Sequence, residues 1–405
     1  MIDFSQPDAP LTPEQQRKKQ KRQTWLALGF VWGIIAVLDG RKWVHSILYK
    51  AAILDISWPV LVLGWIIGLP ILYWLVIVVH EGGHVVGALF ARFQILSFVA
   101  SWLHVKRKAK GWQIQLRKPA AKLSGMVQAF PTHDRNLRSR YALFIAGGPL
   151  ANILTGALAL YSHSKLSAAP DIIFSVSGYA LYKTLLIFGW LSVATGGLNL
   201  LPLNLTSGHI IDGRKLWHLL KGGPVMRQHL GLLYFQNLTY AGVRPRDWEI
   251  EQVKAFLANQ SNSVLDFYAH FYAYCYYHDC KDLESTQSHL NEAIALRKMS
   301  PIALQQQVLA EAAYIAALHT HDVEQARYWL DCAQEAKPFT CEEGLFSRAA
   351  VAFVERQFSE AEEWLQAARQ QLQETIQTGS SVQAFECMND LQAKIQHAQA
   401  QLQLV

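Results

Sequence analysis

Three apolar runs constrain this chain before anything else does. Residues 58–79, 141–161 and 184–203 are each close to the ~20 residues that cross a hydrocarbon layer, and they carry almost no charge. In lipid every backbone polar group must find its partner inside the element, so such runs fold as helices. A shorter run at 25–38 follows a basic collar at 17–22. Asp39, Gly40, Arg41 and Lys42 come next instead of a small-residue cleavage site, so this run reads as a span and not as a signal peptide. Four crossings are expected.

Charge divides the same chain in two. Residues 1–230 hold 25 Lys/Arg against 9 Asp/Glu; the rest of the 37 basic and 31 acidic residues, 12 and 22, fall beyond. The break near residue 230 suggests a membrane part and a water-soluble part. The collar at 17–22 and the basic stretch from Lys106 to Arg140 both belong on the cytoplasmic side by the positive-inside tendency. An even number of crossings must then separate them, which makes residues 58–90 a single returning span unless Gly68 and Pro70 break it.

Between the second and third runs the pattern changes. Gly111–Leu116 and the segment from Ser124 to Phe130 alternate apolar and polar residues, which reads as short strands or a hairpin. The basic residues around them suit either anionic headgroups or plain solvent. Beyond residue 265 the period is helical and repeats: Ala326, Leu330 and Ala333 recur 35 residues later as Ala361, Leu365 and Ala368, with Thr286, Leu290 and Ala293 as an imperfect earlier copy. Such spacing resembles tetratricopeptide repeats, although a generic helical bundle would also show it. All five cysteines lie in this acidic half without a CxxC pair, which fits buried thiols in a reducing compartment.

Chemistry concentrates at His80-Glu81-Gly82-Gly83-His84. On a helix, positions four apart share a face, so both imidazoles can reach one zinc ion. Glu81 then lies beside the metal without having to bind it, placed to take a proton from a water that the metal acidifies. A third ligand must come from elsewhere in the chain. Glu81 is also the only acidic residue between Asp55 and Asp134, and an ionisable group inside an apolar helix marks a functional site.

Two further motifs follow in order: Ala146-Gly147-Gly148-Pro149-Leu150-Ala151-Asn152 in a second run, and Asn199-Leu200-Leu201-Pro202 with Asp212-Gly213 at the end of a third. Together with the HExxH they resemble the site-two protease family of intramembrane zinc metallopeptidases, over roughly residues 58–220. The resemblance implies zinc bound by His80, His84 and Asp212 and catalysis by Glu81. Pro202 and Asp212 are further apart than the family's usual spacing, so His209 stands as a second candidate for the third ligand; the Asp-Gly form favours Asp212. Gly147, Gly148 and Ala151 remove bulk for a close helix contact. Asn152 and Asn199 either satisfy the unwound backbone of a substrate helix or bond a neighbouring helix. Ser207, in the inserted loop, lacks the GxSxG setting of a serine nucleophile.

The expected fold is an all-α membrane protein, with a polytopic helical zinc-protease core, a small β-hairpin region and a soluble α-helical repeat domain. Expected boundaries are 1–23 for a basic tail, 24–228 for the core, 229–264 for a linker and 265–405 for the repeats. The implied function is hydrolysis of membrane-spanning protein substrates, from a multi-pass position in a bacterial inner membrane with the C-terminal domain cytoplasmic. The expected partners are the bilayer, the substrate and a protein adaptor on the repeats, with no nucleic acid. A non-catalytic scaffold acting through the repeats, and a zinc-dependent hydrolase or transporter for a small molecule, are the competing classes.

Overall fold

The computed structural model describes Tyr49 and residues 52–53, 57–117, 125–168, 175–202, 211–261, 263–334 and 342–403. The basic tail, the run at 25–38, Ser207, His209 and Cys341 lie outside the described residues. The chain divides into two compact units, one falling between Tyr49 and His84 and between Ile145 and Leu216, the other taking Val85 to Phe144 and everything from Trp217 onward, apart from residues 119–124.

Three helices dominate the first unit's sequence: α1 (Trp58–Phe90), α2 (Leu137–Ser167) and α3 (Val176–Leu200). Each is long and apolar enough to cross a membrane. Pro70 does not break α1, and Pro149 does not break α2; one lost backbone bond is tolerated where no water competes for the rest. Leu63, Ile66, Ile67, Leu154 and Leu158 are more than half exposed, a surface suited to lipid and unsuited to water. Ser175 starts α3 as its N-cap, accepting from the Gly178 N–H.

Glycines let these helices touch. A Cβ on Gly83 would collide with the Gly147 carbonyl; one on Gly156 would meet the Gly189 carbonyl at 2.7 Å, and one on Gly196 the Pro149 carbonyl at 2.6 Å. Without a hydrophobic drive between helices in lipid, such backbone-to-backbone approach supplies the packing. A short amphipathic helix, α4 (Asp212–Lys221), follows α3.

In the second unit, four antiparallel strands, β1 (Phe93–Ala100), β2 (Leu103–Lys108), β3 (Gly111–Leu116) and β4 (Gly125–Pro131), lie in the order β3-β2-β1-β4. The two segments expected as strands are β3 and β4, but they do not pair with each other. β3 pairs with β2 and β4 with β1, for example Val105 opposite Ile114 and Phe98 opposite Val127. The hairpin is therefore corrected to a sheet whose two expected strands are its edges. β1 and β2 carry no comparable signal, because FQILSFVA and LHVKRK alternate poorly. Arg140, in the first turns of α2 that belong to this same unit, donates to the carbonyls of Ala91 at 2.6 Å and Arg92 at 2.9 Å, just ahead of the sheet.

The segment expected as a linker is folded. α5 (Pro224–Tyr240) and α6 (Ile250–Ala258) bury Phe235, Trp248, Val253 and Phe256 against Ala269 and Ala273. Asn237 donates to the Pro131 carbonyl at 2.8 Å, and Tyr240 stacks on Phe130. The polar and aromatic mix of residues 229–264 hid this small core.

Three helix pairs follow: α7 (Val264–Asp279) with α8 (Leu283–Leu296), α9 (Ile302–Ile315, ending in a π turn) with α10 (Val323–Gln334), and α11 (Glu342–Val354) with α12 (Phe358–Glu374). The recurring residues read from the sequence, Thr286, Leu290, Ala293, Ala326, Leu330, Ala333, Ala361, Leu365 and Ala368, are all buried, each trio on the second helix of its pair. A further repeat was invisible in the sequence. Lys281, His321 and Arg356, one in each turn between paired helices, all adopt positive φ, at 62°, 56° and 63°. This left-handed residue ends one helix. In the first two pairs an aspartate then caps the next: Asp282 accepts from the Ser285 N–H and Asp322 from the Gln325 N–H. The final helix, α13 (Gly379–Gln403), is clasped by Arg244, which pairs with both Asp279 and Glu386. Cys275, Cys280, Cys332 and Cys387 are free thiols.

Candidate metal centre

His80 and His84 sit one turn apart near the end of α1, and Asp212 opens α4. All three are buried, at 9%, 6% and 8% exposure. His80 Nε2 lies 3.1 Å from Asp212 Oδ2, His84 Nε2 lies 3.3 Å from the same oxygen, and the two Nε2 atoms are 3.3 Å apart. Three atoms so arranged, each an acceptor unless protonated, form a nearly equilateral triangle. Tetrahedral ligands about 2.0–2.1 Å from a zinc ion are separated by roughly 3.3 Å, so the triangle matches one face of such a site. The fourth direction would remain for water or substrate. A metal fits these residues by donor type and by spacing.

Local chemistry explains how each ligand is held. A Cβ on Gly148 would overlap the His84 ring, and one on Gly213 would overlap the Leu200 carbonyl. Glycine at 148 therefore makes room for an imidazole, while glycine at 213 lets α4 begin directly against the end of α3. Packing was one reading of Gly148 from the sequence; its neighbour is a candidate ligand.

Asn152 is fully buried, with its amide 3.2 Å from His80 Nδ1. If Nε2 ligates a metal, Nδ1 carries the proton and needs an acceptor, which the amide offers when its oxygen faces the ring. Its NH₂ would then meet Ser192 Oγ, which lies 3.3 Å from the amide's other end and donates to the Asn152 carbonyl at 2.9 Å. Asn152 thus bonds both neighbouring helices. Asn199 is half-buried and donates to the Thr195 carbonyl of its own helix at 3.0 Å.

Glu81 is buried at 7% exposure between the two histidines in sequence. Burial pushes the Asp212 carboxyl up, but hydrogen bonds with His80 and His84 and the charge of Lys215 outweigh it and hold the carboxyl well below its usual range. Lys215 Nζ lies 3.5 Å from Asp212 Oδ1, one turn along α4. Ser192 and Lys215 were not singled out from the sequence. The Asp-x-x-Lys spacing could have flagged Lys215; nothing local distinguishes Ser192.

No family model, curated protein or solved structure matches this chain.

Proposed function

We propose that this chain is an intramembrane zinc metalloprotease that cleaves membrane-spanning proteins. The observation that carries the reading is the buried triangle of His80, His84 and Asp212, with Glu81 on the same helix as both histidines. Zinc held there would supply Lewis acidity toward a scissile carbonyl and toward water. Glu81 accepts the proton of the attacking water and returns it to the leaving amine. Asn152 orients His80, and Lys215 sets the position of the Asp212 carboxylate by its charge. Asn152 and Asn199 remain the residues proposed to engage substrate backbone. The helix pairs, which resemble tetratricopeptide repeats, recruit a protein adaptor or substrate from the cytoplasmic side, and the chain crosses the membrane several times.

The test compares wild type with Glu81→Gln in proteoliposomes carrying single-span test proteins, read by intact mass spectrometry. The variant should keep its zinc and lose cleavage by about 10²–10⁴-fold, the range for removing a general base. Equal cleavage by the zinc-loaded variant would remove Glu81 from the mechanism. Ion flux in zinc-loaded vesicles without peptide hydrolysis would favour transport instead.

A further inference from the structure

A second pair of histidines stands in the helical array with a geometry close to that of the first. His270, on α7, and His289, on α8, face each other with their Nδ1 atoms 3.2 Å apart and ring centroids 5.3 Å apart. The corresponding Nε2 separation between His80 and His84 is 3.3 Å. Two ring nitrogens meet at this distance for one of two reasons. Either one N–H donates to the other nitrogen, or both lone pairs point at a shared cation.

Three features favour the cation. The rings are half-buried, so they are held in place yet open to an ion arriving from water. Tyr277 stacks on His289 with centroids 5.3 Å apart and fixes its orientation. Besides His270 acting on His289, carboxylates act on the pair: Glu292 on both rings, Asp266 on His270 and Asp282 on His289. Asp266 and Asp282 are committed to capping α7 and α8. Glu292 is exposed and one turn from His289, on the same helix face.

We propose that His270 and His289 form a second metal site, which takes a divalent transition ion of the zinc or copper class and pins α7 to α8. Glu292 swings in as the third donor and water completes the shell. Imidazole pairs suit these ions, whereas calcium and magnesium demand oxygen donors. The site uses none of the residues of the proposed catalytic centre, so it stands or falls independently of that function.

The experiment titrates zinc, against a chromophoric chelator, into untagged full-length protein and its His270→Gln and His289→Gln variants. Wild type should bind one weaker equivalent, in the micromolar range, that neither variant binds. Glutamine preserves a hydrogen-bonding side chain, and circular dichroism establishes that the helices persist. Copper loaded at the weaker site should show nitrogen hyperfine coupling from two imidazoles in electron paramagnetic resonance. The same stoichiometry in wild type and both variants would leave the histidines as a hydrogen-bonded pair and overturn the proposal, whatever the first centre binds.

Discussion

The Asn152 amide and the Asp212 carboxylate address opposite nitrogens of one ring: Nδ1 of His80 lies 3.2 Å from the amide, and Nε2 lies 3.1 Å from Asp212 Oδ2. Second contacts of this kind fix the tautomer of a ligating imidazole, and their loss typically costs 10–100-fold in metal affinity. Asn152→Ala should therefore weaken zinc binding by about that factor while all three ligands stay in place. Competition against a chelator of known affinity measures it; unchanged affinity would make Asn152 a packing residue only.

Gly148 and Gly82 form a matched pair for a steric test. A Cβ at 148 would overlap the His84 ring, whereas one at 82 meets nothing within 4 Å. Gly148→Ala should lose metal and activity despite an intact ligand set, and Gly82→Ala should keep both. Zinc content in detergent-purified protein separates them, and equal retention by the two would show that His84 does not hold the position described.

A pH effect belongs to the helical array. Burial pushes the Glu311 carboxyl up to about 7, with the hydrogen bond from Tyr274 at 2.6 Å opposing it. A raised carboxyl favours the folded state while protonated, and that stability is lost as pH rises from about 4.5 through about 7. His278, which burial lowers to about 4, works in the opposite sense. It is common to wild type and variant, and so drops out of their difference. Glu311→Gln should gain up to about 3 kcal/mol over wild type between pH 5 and pH 8. Denaturant unfolding of the full chain at the two pH values reads it, and a pH-independent difference would mean that Glu311 is solvated.

What could be read from the sequence followed from strong, local signals. Helical spacing put His80 and His84 on one face without any knowledge of the fold, and the repeated Ala-Leu-Ala trios marked buried positions because each faces the same kind of neighbour. Asp212 was reached through family likeness, since nothing local says that a residue 132 positions from His80 will share an oxygen with its ring. The sheet was legible only at β3 and β4, whose alternation is regular. Their true partners, β1 and β2, bring together residues whose pattern is masked by burial on one strand and by Lys106, Arg107 and Lys108 on the other. The positive-φ turns at Lys281, His321 and Arg356 could not be seen because no glycine or asparagine advertises them.

Metal content tests the central claim most directly, because the account stands on three side chains converging on one ion. After exhaustive dialysis, wild-type protein and Glu81→Gln should each retain one zinc per chain by elemental analysis. His80→Ala and Asp212→Asn should retain less than about a tenth of that, as expected when a three-residue ligand set loses one member. A full equivalent of zinc in dialysed Asp212→Asn would contradict the centre described, and would move the third ligand to another residue such as His209.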